Sequence, residues 1–156
     1  MLHKKTTVVL ASAFVFVVLG GCDDTSSSKP SELLKVQSTK CALDVINGDG
    51  GMVAYADGGT VSFAGWAVDS NTNTTPPLLD LILTGANGKS FVFEGAARYD
   101  RPGVVKAFKQ DEFLKSGFSL KADVSALEKA TYSISLQMPT ANNLITCKTK
   151  KVIVLK

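Results

Sequence analysis

The chain beyond residue 40 is predicted to be an antiparallel β-sandwich of seven or eight strands, Ig-like or similar, with a small β-barrel as the alternative. Short segments rich in β-branched and aromatic residues recur along it, and turn residues separate them at intervals of about 8–12 residues. Residues 131–138 alternate apolar and polar side chains throughout, which is typical of a strand with one buried face.

The predicted strands cover residues 41–46, 60–68, 78–84, 90–94, 117–123, 131–138, 144–149 and 152–155. Asn-Gly and Asp-Gly pairs end the first strand, and the turn at residues 85–88 predicts a hairpin. Residues 102–113 break the pattern, because their apolar residues follow a spacing closer to that of a helix and Pro102 suits a first turn. This segment predicts a short helix or a crossover between strands.

Residues 1–21 predict a secretory signal, with Lys4 and Lys5 before an apolar run that is shorter than the roughly 20 residues of a spanning helix. An N-terminal membrane helix is the alternative. The sequence that follows, Leu19-Gly20-Gly21-Cys22, resembles the lipobox of bacterial lipoproteins. In that family the cysteine is acylated and the signal is cleaved before it. The resemblance implies that Cys22 carries lipid, including palmitate-type acyl chains, and anchors the mature chain to a membrane.

Asp23 and Asp24 follow the lipid-attachment site. An Asp at this position resembles the signal that retains enterobacterial lipoproteins in the inner membrane. The resemblance therefore implies a domain that faces the periplasm from the inner membrane, with the outer membrane as the alternative. Residues 22–39 are predicted to be a flexible tether, since residues 23–31 are polar and low in complexity, and the domain is predicted at residues 40–156.

The mature sequence excludes several kinds of chemistry. The single histidine, His3, lies in the leader, so the mature domain has none for a Ser-His-Asp triad or for a His-ligated zinc or haem site. Without Lys4 and Lys5, 15 basic residues face 14 acidic ones, a balance that argues against a nucleic-acid partner. We expect no cofactor and no enzymatic activity.

Cys41 and Cys147 remain as a pair in an exported, oxidising compartment. They predict a disulfide that closes a loop of about 105 residues and contributes about 3–5 kcal/mol in the chain-entropy model. Two separate buried thiols are the alternative. Trp66 lies in the middle of a predicted strand and is expected to pack in the core near the bridge.

Three short segments occur in order: Gly65-Trp66-Ala67-Val68-Asp69, Arg98-Tyr99-Asp100 and Gly117-Phe118. In this order they are similar to segments of small β-sandwich modules that occur in bacterial envelope and carbohydrate-related proteins. The resemblance implies a β-sandwich for the mature domain.

The best predicted contact surface is the loop formed by Arg98, Tyr99, Asp100 and Arg101. It contains the only two arginines of the chain. Arginine forks bind carboxylates and phosphates through two hydrogen bonds, and an aromatic ring between them adds a stacking surface. The alternative is an internal Arg–Asp pair that holds the segment in place.

Two acidic segments have oxygen-bearing side chains that could bind a metal. Asp69, Asn71, Asn73 and Asp80 echo the spacing of a calcium loop, but Thr74 occupies the glycine position of that loop. A polar loop is favoured, and no metal is predicted. The second segment contains Asp44, Asn47 and Asp49, whose Asn-Gly and Asp-Gly pairs are better explained by turns.

Three functions remain open. The first is a non-catalytic lipoprotein whose domain binds an envelope protein or another envelope component. The second is a carbohydrate- or peptidoglycan-binding module, which requires several exposed aromatics such as Tyr55, Trp66 and Tyr99 on one surface. The third is a hydrolase that uses two of the carboxylates Asp80, Glu94, Asp100, Asp111 and Glu112.

The basic C-terminal segment, with Lys148, Lys150, Lys151 and Lys156, is interpreted as edge-strand protection, with contact to anionic headgroups as the alternative.

Overall fold

Two β-sheets form the part of the chain that the computed structural model describes, residues 33–156. The predicted signal, the lipidation site Cys22, Asp23 and Asp24, and the tether up to residue 32 lie outside the described residues. Within the described range, no helix is long and apolar enough to cross a membrane.

The elements of this range follow in the order β1 Leu34–Gln37, β2 Cys41–Ile46, β3 Val53–Ala56, β4 Thr60–Ala67, β5 Asp80–Gly85, β6 Ser90–Phe93, β7 Ala97–Tyr99, α1 Pro102–Phe108, a 3-10 helix Asp111–Ser116, β8 Gly117–Asp123, β9 Thr131–Pro139 and β10 Asn143–Leu155. Sheet I has the strand order β1-β10-β9-β5-β6, with β3 also paired to β10. Sheet II has the order β2-β4-β8-β7. All pairs are antiparallel except β1 and β3, which run parallel to β10. The β-sandwich prediction is confirmed.

The core lies between the two sheets and follows from the alternation seen in the sequence. In β9, the inward side chains of Tyr132, Ile134, Leu136 and Met138 are all buried. Sheet II contributes Phe63 and Phe118, which are almost fully buried. Gly65 lets β2 approach β4 closely, because a Cβ atom there would collide with the backbone of Ala42 and Leu43. Apolar burial of this extent is the main stabilising term of the domain.

The predicted disulfide is confirmed. Cys41 of sheet II is bonded to Cys147 of sheet I across a sequence separation of 106 residues. The chain-entropy model gives a loop of this length a stabilisation of about 4–5 kcal/mol, because the cross-link restricts the unfolded chain.

Strand β10 differs from the prediction of two separate strands. It is one strand of 13 residues with a bulge in its pairing to β9 between Lys148 and Val152. β9 lies along one side of it, while β1 and β3 pair with its two ends on the other side. β10 is therefore not an edge strand at residues 143–146 and 152–155, whereas among the described strands none pairs with residues 147–151 on that side, where Lys148 and Lys150 lie. Lys151 is only 7% exposed, and its ammonium group donates hydrogen bonds to the carbonyls of Gly50 and Gly51.

Other differences are local. Residues assigned to the end of the tether form strand β1, so the folded domain begins before residue 40. β3 and β7 were not predicted, because strands of four and three residues are too short to show a period. The helical interpretation of residues 102–113 is confirmed in part: α1 begins at Pro102, Lys109 takes a left-handed conformation with φ of 54°, and the 3-10 helix follows.

Candidate binding surface

The outer face of sheet II carries the residues of greatest functional interest. Burial alternates along β4 and β8, so that Trp66 and Gly117 point away from the main core. Strand pairing places Trp66 opposite Gly117, and Gly117 opposite Tyr99 of β7. One row across three neighbouring strands therefore has an aromatic residue at each end and a glycine in the middle.

The glycine in this row is required by its neighbours. A Cβ atom at position 117 would lie 2.6 Å from the ring of Tyr99 and 2.7 Å from Cγ of Arg101. Both side chains therefore lie directly on the backbone of β8. Any larger residue at position 117 would displace them from the sheet.

Arg101 reaches across the sheet to Asp44 of β2. Its Nη1 atom donates to Oδ2 of Asp44 at 2.7 Å and lies 3.4 Å from the hydroxyl of Tyr99. The hydrogen bond to Asp44 raises the pKa of Arg101, so the guanidinium remains fully charged. Asp44 lies at a bulge in the pairing of β2 with β4, and bulges re-aim side chains in this way.

Arg98 has a different role from the one predicted. It lies in β7 rather than in a loop, and its Nη1 donates to the carbonyls of Ala67 at 3.2 Å and Ser116 at 3.0 Å. Its Nη2 donates to the carbonyl of Pro76 at 2.7 Å. Burial lowers the pKa of Arg98 to about 10, which still leaves it protonated at neutral pH. Arg98 thus fastens three separate segments behind the surface and does not present its fork to a ligand.

The predicted four-residue loop is therefore divided between interior and surface. Asp100 forms an exposed ion pair with Lys115 at 2.6 Å and does not pair with an arginine of its own segment. The Arg–Asp pair that the structure contains joins Arg101 to Asp44 of β2. Tyr99 and Arg101 are the two members of the predicted set whose side chains lie on the outer face.

Trp66 is not in the main core, contrary to the prediction. It is half-buried on the outer face of sheet II, where its ring lies 5.4 Å from that of Phe108 in α1. Phe108 packs edge-on against Phe113 at 5.8 Å, and the ammonium group of Lys40 lies over both phenylalanine rings. This small second core holds α1 and the 3-10 helix against sheet II.

Five side chains make up what we call the aromatic face: Trp66, Tyr99, Arg101, Phe108 and Leu114. Phe108 and Leu114 are 38% and 41% exposed, and Tyr99 is 36% exposed. A shallow hollow of about 310 Å³ lies alongside on β4 and β8, lined in part by Ala64 and Ser119. The sequence indicated Asp44 only as part of an acidic turn segment and did not indicate Phe108 or Leu114. The bulge of β2, α1 and the 3-10 helix bring these residues to this surface.

The calcium-loop candidates serve the loop itself. Asp69 is buried and accepts hydrogen bonds from the backbone and side chain of Asn71 and from the hydroxyl of Thr72. Asn73 accepts from Lys40, and Asp80 accepts from the backbone of Gly95. Among residues 33–156 there is no group of three His, Cys, Asp or Glu side chains placed to share a metal ion.

The second acidic segment also serves turns. The side chain of Asn47 accepts from the backbone of Ser62, and Asp49 accepts from the backbone of Gly51. Of the five acids considered for a hydrolase, Asp80 and Glu94 line one open hollow, together with Leu78, Gly95 and Pro139. Asp100 lies elsewhere and pairs with Lys115. Asp111 and Glu112 lie in the first turn of the 3-10 helix.

Comparisons with protein-family models, with curated proteins and with solved structures find no match for this chain.

Replacing Arg98 should cost far more stability than replacing Arg101. Arg98→Met leaves three carbonyls without their donor, so we expect a loss of about 2–4 kcal/mol in the free energy of unfolding. Arg101→Met removes a partly exposed ion pair and should cost at most about 1 kcal/mol. Urea unfolding of both variants measures the difference, and equal losses would contradict the division of roles.

Asp69 should make stability depend on acid pH. Burial raises its pKa, but the hydrogen bonds from Thr72 and Asn71 outweigh burial and hold the pKa below its ordinary value of 3.8. Because the folded-state pKa is lowered, this contribution is present above about pH 4 and is lost as the pH falls through the folded-state pKa.

The matching variant is Asp69→Asn, which keeps the shape of the side chain without its charge. We expect it to be roughly 1–2 kcal/mol less stable than the wild type at pH 7, with the difference disappearing in acid. Thermal unfolding across this pH range measures it. A rise in melting temperature on adding calcium would contradict the internal role of Asp69.

Proposed function

We propose that the chain is a lipid-anchored, non-catalytic protein of the bacterial envelope whose β-sandwich binds another envelope protein through the aromatic face. Cys22 would hold it at the membrane, with the domain facing the periplasm, from the inner membrane if Asp23 and Asp24 act as a retention signal. The binding role rests on one observation, the grouping of Trp66, Tyr99 and Arg101 on one side of sheet II.

Tryptophan, tyrosine and arginine are the residue types that contribute most to protein–protein binding energy. Here Arg101 is positioned in advance by Asp44 and by the backbone of Gly117, so little side-chain entropy is lost on binding. The exposed side chains of Phe108 and Leu114 extend the apolar part of the surface. A broad face with a shallow hollow suits a protein partner better than a small ligand, which favours a deep cleft.

The non-catalytic part of the proposal has two supports. The only histidine of the chain precedes Cys22. Of the two acids that share a hollow, Asp80 already accepts a hydrogen bond from the backbone of Gly95, which fixes the turn after β6.

A carbohydrate or peptidoglycan ligand is the second candidate. Trp66 and Tyr99 lie two strands apart on the same face, about 10 Å by strand spacing. Trp66 is half-buried and Tyr99 is exposed. Sugar rings stack on aromatic faces, and the Arg101–Asp44 pair would offer polar contacts beside them.

Site-specific photo-crosslinking in native membranes tests the proposal. A photoreactive amino acid at Phe108 should crosslink one envelope protein, whereas the same group at Val92 on sheet I, which is more exposed (54% against 38%), should not. Adding Tyr99→Ala and Arg101→Ala to the Phe108 probe should reduce the crosslink at least tenfold, since both replaced groups are expected hot spots.

The outcomes separate the two candidates. A crosslinked protein that is lost with these two substitutions supports a protein partner. Sedimentation of the purified chain with isolated peptidoglycan, abolished by the same substitutions, would assign the face to glycan instead. Equal crosslinking from Phe108 and Val92 would overturn the aromatic face as a binding surface.

Cys22→Ser tests the anchor. The substitution removes the thiol that would be acylated, so the chain should leave the membrane fraction or keep an uncleaved leader, detectable as a larger mass. Ser12→Ala, within the leader, is the control and should process normally. A Cys22→Ser chain that is cleaved and stays in membranes would refute the anchor.

A further inference from the structure

The outer face of sheet I has a composition that the proposed binding role does not use. Strands β1, β3, β9 and β10 lie side by side and contain no aspartate or glutamate. The same strands and the residue that follows β10 contain five lysines, of which Lys151 is buried. The other four, Lys35, Lys148, Lys150 and Lys156, are exposed.

These four lysines point away from the core. In β10, the buried residues Cys147 and Ile153 alternate with exposed or half-buried ones, and Lys148 and Lys150 belong to the second set. Lys35 is paired with Leu144, another outward position of β10. The four positive charges therefore lie on the solvent side of sheet I.

Apolar side chains accompany the lysines on the same side. Tyr55 and Val53 of β3 are 60% and 42% exposed, and strand pairing sets them beside Val154 and Val152 of β10. The ammonium group of Lys156 lies 4.2 Å from the centre of the Tyr55 ring. We call this set of four lysines with Val53, Tyr55, Val152 and Val154 the basic face.

We infer that the basic face lies on the anionic surface of the membrane that holds the lipid anchor, which turns the aromatic face of sheet II away from the bilayer. The combination of lysines, valines and a tyrosine matches the boundary between lipid headgroups and acyl chains, where charge and apolar area both contribute to binding. Asp57, directly after β3, is the nearest acid in sequence to this set.

The route of the chain supports the same orientation. β1 is the first described element, and it pairs with β10 on the same side of that strand as β3. Eleven residues lie between Cys22 and Leu34, a span of at most about 40 Å even when fully extended. An anchor at Cys22 would thus keep this border of sheet I within that distance of the headgroups and raise their effective concentration.

This inference rests on the proposed anchor, and the single tryptophan of the chain provides a direct test of it. The intact lipidated chain is reconstituted into vesicles with about one-third phosphatidylglycerol and a nitroxide quencher on the headgroups. The indole of Trp66, on sheet II, should be weakly quenched. In the Tyr55→Trp/Trp66→Phe chain the indole is on the basic face and should be quenched several-fold more.

Charge reversal provides the second arm. Lys148→Glu/Lys150→Glu should abolish the difference in quenching, whereas Lys106→Glu/Lys121→Glu, at exposed positions on α1 and β8, should preserve it. Each lysine near an anionic surface is worth about fivefold in binding, so the first pair should weaken direct binding to phosphatidylglycerol vesicles by at least about 25-fold. High salt should have the same effect as that pair.

The arms distinguish failure of the orientation from failure of the anchor. Retention in phosphatidylcholine vesicles reports the anchor alone. If the chain is not retained by phosphatidylcholine vesicles but binds phosphatidylglycerol vesicles through Lys148 and Lys150, the membrane-binding role of the basic face stands. The proposal that Cys22 carries a lipid anchor is then refuted. Equal quenching of the two indoles would overturn the orientation. A concentration-dependent dimer that protects position 55 from the quencher would assign this face to a second copy of the chain.

Discussion

The rest of the structure depends on the continuity of β10 and its covalent link to sheet II. One strand of 13 residues pairs with β9 on one side and with both β1 and β3 on the other. Near the end of β1, the chain passes from sheet I to sheet II. The disulfide between Cys147 of β10 and Cys41 of β2 joins the two sheets covalently at this crossing. The bulge beside it allows Lys151 to turn inward and hold the turn at Gly50 and Gly51. A small domain gains from such a cross-link because its core alone buries limited surface.

The two arginines show how burial divides a sequence motif into separate roles. Alternation in β7 turns Arg98 inward and Tyr99 outward, and Arg101 then lies at the start of α1 with its side chain over sheet II. A buried guanidinium is tolerable only with several acceptors, which the carbonyls of Ala67, Ser116 and Pro76 supply. By holding these segments behind the surface, Arg98 fixes the backbone against which the side chains of Tyr99 and Arg101 pack.

Sequence patterns were sufficient where a single strand carries its own information. The alternation in β9, the turns after β2 and β5, the helix that begins at Pro102 and the pairing of Cys41 with Cys147 were all predicted, because each depends on local period, backbone conformation or elimination. The depth of Trp66 was not predictable, since an outward position in β4 becomes half-buried only when Phe108 packs against it. Nor was the partner of Arg101, since Asp44 lies 57 residues away and reaches it through a bulge. The site residues that were missed are those that tertiary contacts create.

A sandwich has two outer faces, and in this chain they differ in chemistry. One face combines aromatic rings with an arginine held by Asp44, while the other combines exposed lysines with Val53 and Tyr55 and has no acid on four neighbouring strands. The separation matters because a surface that lies on headgroups is withdrawn from proteins, and a surface that binds proteins must stay clear of headgroups. Attachment through residues just before β1 favours one of the two arrangements, since β1 contains Lys35 and pairs with the part of β10 that leads to Lys148. The anchor and the difference in chemistry between the two faces thus both determine how the domain is oriented on the membrane.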